Sequence, residues 1–336
     1  MMTPASSSAP YLVEQGSVPD ADAEAVLDGA ALAPVAADVL EVTGPGAVDC
    51  LQGLFTNDLE RPGDGAFLYG AMLSPKGMIL SDLWALRREG SVFLVVPSAG
   101  RGSVDAVLQK ALPPRLARFA SRPTIKVWRL AGPRALEVAA GAGLAVPEPG
   151  KSVRGEVGGA SVLAARPQPA APFGLELHAE AERWPAITQA LGAAGARAAG
   201  ATALEIARIL AGWPRLGAEI DEKTLPQEVR FDDLDGVSYT KGCYTGQETV
   251  ARVHFRGHVN RVMAGLWWTA PPNLRAAPTV VAEDRTVGRV TSVAWVPPFE
   301  RFVGLAKIRR EANRRGRVIA FRATAHIVPL PFPEMI

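Results

Sequence analysis

Apolar and polar positions change their period several times along the chain, and each change predicts an element. In VLEVTGPGAVDCLQGLFTNDLE a short strand at 39–42 meets Gly44-Pro45. Ala47, Val48, Cys50, Leu51 and Leu54 then recur at helical spacing, with Asn57-Asp58 as the stop, so Cys50 should face a core. AFLYGAML and MILSDLWAL read as two strands joined by SPKG, where Ser74, Pro75 and Gly77 suit a type I turn. SVFLVVP at 91–97 predicts a further strand and 101–112 a helix. Pro113-Pro114 and Arg122-Pro123 interrupt the pattern before strand-like TIKVWRLAG. Short strand-like and Ala-rich helical pieces alternate over 132–200, with 184–191 the most regular helix; TALEIARIL at 202–210 predicts another, stopped by Gly212-Trp213-Pro214. The runs at 262–268, 279–282, 288–296, 303–308 and 318–323 predict a small all-β domain.

These elements divide the chain into four parts. Residues 1–30, rich in Ala, Ser, Pro and acids, form a loosely ordered lead-in. An α+β core combines 31–120 with 201–245, a second α+β unit spans 121–200, and a C-terminal β domain spans 246–336. With 336 residues, 48% of them hydrophobic, a sizeable core can be buried. The formal net charge of +2 argues against a general polyanion binder and against direct nucleic-acid binding. The tail departs from that balance: Arg301, Lys307, Arg309, Arg310, Arg314, Arg315, Arg317 and Arg322 face only Glu300 and Glu311. Such a run is either solvated surface or a patch for phosphates, RNA or a polyglutamate chain. Cys50 and Cys243 make neither a CxxC nor a disulfide framework, which favours a reducing compartment. The start lacks a basic stretch followed by an apolar one, and no apolar run approaches the roughly 20 residues of a bilayer span, so a cytoplasmic protein without a membrane partner is expected.

Alternation through MILSDLWAL places Met78, Leu80, Asp82, Trp84 and Leu86 on one side, with Asp82 alone among apolar neighbours. A buried carboxylate without partners costs several kcal/mol or is pushed up in pKa. Asp82 should therefore be met either by backbone amides of a nearby loop or by a ligand. A pterin-like heterocycle, with adjacent ring N–H and amino donors, is one ligand that would satisfy it.

The second candidate is TKGCYTGQETVARV at 240–253. Thr245 and Glu248 have capping-box spacing, which would start a helix there and leave Cys243 just ahead of its N-terminus. With Lys241 nearby, that setting can make a thiolate available, although free cysteines are also among the most buried residues. Gly242 and Gly246 permit positive φ or a close approach. Other templates fail: GxSxG, GxxxxGK[ST] and HExxH are absent, and His254 and His258 flank Gly257, which disfavours a shared metal face. No metal site is predicted, and four thiolates for a cluster are not available.

KGCYTGQE (241–248), LQGLFTND (51–58), SPKGMILSD (74–82), and GWPRLGAEID with the following LPQE (212–228) resemble the YgfZ-type folate-binding proteins. These are relatives of the glycine-cleavage T-protein aminomethyltransferases. The resemblance covers roughly 35–330, weakly in the middle. It implies an α+β fold of three domains in a cloverleaf around a central hole, with a C-terminal all-β barrel-like domain, and tetrahydrofolate or a one-carbon derivative as cofactor. It places Asp82 where T-proteins carry the acid that contacts folate, and it gives Cys243 an active role. Lys241, Tyr244, Gln247, Glu248 and Arg252 would bind the cofactor or position the loop. Leu210 stands where T-proteins have a glutamate that helps hold folate, and Gly46 where relatives commonly have aspartate. Together with the cysteine signature, this leans from turnover toward an accessory protein. That protein would support iron-sulfur cluster assembly or repair, with iron-sulfur proteins, tRNA-modifying enzymes among them, or the assembly machinery as partners. The alternatives are a folate-dependent aminomethyltransferase, with Asp82 assisting transfer, and a partner- or RNA-binding scaffold built on the basic tail.

Overall fold

The computed structural model describes residues 9–314 and 316–333; Arg315 of the basic tail and the first eight residues of the lead-in lie outside them. Three sheets organise the chain. The first has the strand order Phe67–Leu73, Ile79–Arg88, Ser91–Pro97, Ala37–Thr43, Arg118–Ser121. In the second, Ala31–Pro34, Ile125–Ala131, Leu175–Glu180, Ala160–Arg166 and Lys151–Val157 run side by side, with the two-residue strand Arg197–Ala198 at the edge. The third is a barrel of Arg261–Trp268, Thr279–Ala282, Arg285–Val296, Arg301–Arg309, Gly316–Ala320 and Ala323–Val328. Its six strands close because Arg301–Arg309 pairs with both Arg261–Trp268 and Arg285–Val296. The expected mixed fold with an all-β C-terminal barrel is thus present.

Each sheet buries one face in its own core. The helices Ala47–Gln52 and Arg101–Ala111 cover the first, and Ala135–Gly141 and Trp184–Ala193 the second; the barrel fills itself. The remaining faces share one apolar cluster, which joins Trp84 and Leu86 to Val127 and Leu163 and to Ala294 and Leu305. Ile206 and Ile209 of the helix Ala201–Ala211 complete it. Gly212 ends that helix at φ +63, where a Cβ would come within 2.4 Å of Arg230 Nη1. Only glycine suits that position, and the turn delivers Trp213 to the shared cluster.

Four local expectations change. Residues 9–30 are not a loose lead-in: Tyr11–Val13 adds a parallel strand to the barrel at Ser292–Ala294, and Asp20–Leu27 is a helix. Ala31–Pro34 belongs to the second sheet rather than the first, through antiparallel pairing with Ile125–Ala131. Long-range pairing decides both cases, and no local period reports it. The apolar run at 318–323 spans the end of one strand, a turn through Phe321 and Arg322 at positive φ, and the start of the next. The hairpin forms on its predicted turn, with Gly77 N–H donating to Ser74 O at 2.9 Å, but a bulge at Leu80 pairs Leu73 with Ile79 and Ala71 with Asp82. The bulge reverses the alternation, so Ile79 rather than Met78 or Leu80 shares the face of Asp82, Trp84 and Leu86.

Candidate functional site

Asp82 is 6% exposed and stands on the first sheet's inner face. Its Oδ2 accepts from the Tyr69 hydroxyl at 3.0 Å, on the neighbouring strand, while Oδ1 is buried with no partner among the described residues. No amide of a neighbouring loop takes it up, and its own main-chain N–H is the one backbone group that favours its charged form. Burial pushes the carboxyl from 3.8 up to about 6, against the Tyr69 hydrogen bond, its own main-chain N–H and the charges of Arg129 and Arg208. Asp82 belongs to the wall of a cavity of about 310 Å³. That cavity collects Asp82 and Trp84 from the first sheet, Arg129 from the second and Phe173 ahead of its Leu175–Glu180 strand. Arg208 from the helix Ala201–Ala211 and Trp213 just beyond it complete the wall. Trp84 stacks on Trp213 at 5.7 Å and meets Phe173 edge-on at 5.3 Å, which gives the chamber flat apolar sides. It suits a planar ring with N–H donors.

The cations of the wall are compensated. Arg208 bonds to Glu205, Glu219, the Trp213 carbonyl and Ser292, and Arg215 pairs with Glu205 at 3.0 Å. Nε and Nη2 of Arg129 both donate to Oε2 of fully buried Glu176, at 2.9 and 2.8 Å. The negative charge without a cation in contact is Asp82.

Between the two pKa values of Asp82 the native state holds a proton that the unfolded chain has released. The stability this group contributes is complete below 3.8 and lost as pH rises through about 6. Without ligand, thermal unfolding should show wild type losing up to about 3 kcal/mol over that window relative to Asp82→Asn, which has no group to titrate there.

The cysteine loop lies elsewhere. Lys241 is buried, and its ammonium donates to the carbonyls of Gln52, Phe55 and Asn57 at 2.7, 2.7 and 2.8 Å. All three donors are spent, which makes it a structural pin and not a cofactor contact; burial pushes it down to about 8, against the charges of Asp58 and Glu60. Tyr244 is buried beside it, with its hydroxyl unpartnered among the described residues and its pKa raised by burial. Cys243 is exposed. The expected capping box is absent. Gly246, at φ +82, caps the helix Gln247–Arg256, and the Thr245 hydroxyl turns to the Gly53 carbonyl at 3.4 Å. A Cβ on Gly246 would meet Ser74 O at 2.7 Å, so that glycine is required by close approach, whereas Gly242 has open space around it. Glu248 and Arg252 are exposed and Gln247 half-buried on this helix. None of Lys241, Tyr244, Gln247, Glu248 and Arg252 lines the Asp82 cavity. His254 stacks on Tyr239 at 3.7 Å, and no cluster able to hold a metal occurs among the described residues.

The two places are nevertheless linked. LFTND receives the loop: Ser238 N–H donates to Thr56 O, Thr245 N–H to Gly53 O, and Asn57 Nδ2 to the carbonyls of Asp235 and Tyr69. Tyr69 in turn holds Asp82. Tyr69, Arg129 and Trp213 escaped the sequence reading. For Arg129 a signal was present, because alternation through TIKVWRLAG puts it between Val127 and Ala131, the same stranded-charge pattern that singled out Asp82.

A family model described as the GCVT N-terminal domain matches residues 17–234. The chain belongs to this family. As a GCVT-domain protein it is 28% identical to the aminomethyltransferase of Moorella thermoacetica over 311 residues, covering 87% of this chain and 83% of that one. It is 30% identical to the aminomethyltransferase of a Synechococcus species over 287 residues, 83% of this chain and 78% of that one. The tRNA-modifying protein YgfZ of Vibrio vulnificus is 41% identical over 80 residues, 24% of each chain. Among solved structures, the glycine cleavage system aminomethyltransferase T of Bartonella henselae shares the fold, with a TM-score of 0.77 at 22% identity over 94% of this chain and 89% of that one. No helix among the described residues is long and apolar enough to cross a membrane.

Proposed function

We propose that this GCVT-family protein binds a reduced folate in the Asp82 cavity and acts as an accessory factor for iron-sulfur proteins, with Cys243 as the exposed thiol that meets its partners. The observation that carries the reading is Oδ1 of Asp82, a buried acceptor on a cavity-lining residue with no donor among the described residues. A tetrahydropterin fits there: its ring N–H groups supply the missing donors, and Trp84, Trp213 and Phe173 supply flat apolar contact. When bound, folate would supply a carrier nitrogen for a one-carbon unit. The protein's part is to orient the ring through Asp82, with Tyr69 fixing that carboxylate, and to exclude water with the aromatic walls. Asp82, near pH 6 in the empty cavity, is also poised to hold or release a proton beside the ring. The cavity drawn from two sheets and the helix packed on the barrel would be the opening of a three-lobed cloverleaf.

An aminomethyltransferase is the second reading, supported by relatives of that name matching more than four-fifths of the chain. Leu210, in place of the T-protein glutamate, weighs against it, as does an exposed cysteine that is not among the residues lining the cavity. Cys243→Ala decides between them. In cells lacking the native protein, the variant should fail to restore a cluster-dependent tRNA-modifying enzyme while keeping wild-type affinity for reduced folate. Full restoration, together with measurable aminomethyl transfer by the purified variant, would establish the enzyme reading instead.

A further inference from the structure

We infer that Arg129 reads the ring oxygen of the bound ligand: the free arm of its guanidinium donates to a neutral carbonyl, and the cavity thereby rejects rings carrying an amino group at that position. The inference rests on the folate reading of the Asp82 cavity and adds which ring that cavity accepts.

Arg129 stands on Ile125–Ala131 between Val127 and Ala131, both in the shared apolar cluster, and its side chain, about one-fifth exposed, lines the cavity. Two contacts fix its plane. Nε and Nη2 share one oxygen of Glu176, and the guanidinium lies 4.1 Å over the Phe173 ring. Glu176 is itself backed by His178, whose Nε2 is 3.2 Å from Oε1. Nη1, with two N–H donors, has no acceptor among the described residues. The wall therefore holds a buried acceptor without a partner, Oδ1 of Asp82, and Arg129, whose Nη1 keeps two N–H groups open to a ligand.

Charge decides what kind of acceptor Arg129 takes. Glu176 already neutralises it, and the negative charge left uncompensated in the cavity is that of Asp82. A ligand carboxylate on Arg129 would add a second uncompensated anion to a desolvated site, whereas a ring carbonyl accepts the same hydrogen bonds and adds no charge. The cyclic amide of an oxo-pteridine, with N–H groups for Asp82 and an oxygen for Arg129, meets both demands. Exchanging that oxygen for an amino group turns acceptor into donor, so two sets of N–H groups would face each other.

The test is calorimetric titration of the full-length protein with tetrahydrofolate and with its analogue bearing an amino group in place of the ring oxygen. Wild type should prefer the oxo compound by about 10- to 100-fold. Arg129→Lys keeps a cation for Glu176 but loses the Nη1 arm. The double variant Arg129→Gln with Glu176→Gln replaces the ion pair by two amides, so neither partner's charge is left behind. In either, provided ligand-free melting shows it folded, the preference should fall to about threefold or less. Equal affinities in wild type, or an undiminished preference in whichever variants fold, overturn the assignment of Arg129 and leave the folate reading standing. Failure of wild type to bind either ligand overturns both.

Discussion

Asp82→Asn is expected to weaken the binding of a reduced folate by about 100-fold or more while raising the melting temperature of the empty protein at neutral pH. The carboxamide can still accept from Tyr69, so the local hydrogen bond survives. It removes a charge whose burial is costly enough to push the native group up to about 6. Stability therefore gains, whereas binding loses twice: the ligand's N–H groups forfeit a charged acceptor, and the new amide presents donors to donors. In wild type, affinity should rise as pH increases through about 6 and the empty carboxyl becomes ionised; the variant should show no such step. Titration calorimetry at several pH values and ligand-free melting test both halves. Unchanged affinity in the variant would remove Asp82 from the site.

The second large effect concerns Lys241. Lys241→Met retains most of the apolar stem but leaves the carbonyls of Gln52, Phe55 and Asn57 facing each other without a donor. At roughly 1–3 kcal/mol for each buried unsatisfied group, after partial relaxation, the expected loss is about 4 kcal/mol, or a melting temperature lower by roughly 6 °C. Arginine should not rescue it, because a planar fork cannot converge three donors on the point where a tetrahedral ammonium does. Since the same loop carries Cys243, the thiol should react faster with a soluble disulfide reagent. A variant melting within a degree or two of wild type would show that water replaces the ammonium and that the lysine does not pin the loop.

What the sequence made legible follows from which forces are local. The stretch from Asp82 onward is regular enough that alternation alone exposes a carboxylate among apolar side chains, and the three sheets confirm that it faces the shared core. One bulge at Leu80 was sufficient to misplace Met78 and Leu80, because an inserted residue leaves no trace in hydrophobic period. At the cysteine loop, Thr245 and Glu248 had the right spacing for a capping box. The glycine between them could take a left-handed conformation that starts the helix one residue later, and the lysine expected beside the thiol was drawn inward by carbonyls some 190 residues away in sequence. Tyr11–Val13 and Ala31–Pro34 were lost for the same reason, since their partners are remote strands. Chemistry carried by a single residue on a regular element was readable. Chemistry assembled from several elements, such as Arg129 facing Asp82 across a cavity, required the fold.

A crystal structure of the protein soaked with tetrahydrofolate decides whether Asp82 meets the ligand. A pteridine is expected in the cavity beside the Trp84–Trp213 stack and Phe173, with a ring N–H or amino nitrogen within hydrogen-bond distance of Asp82 Oδ1. A ring bound elsewhere, or a cavity that stays empty at saturating ligand with Oδ1 still unpartnered, would contradict it.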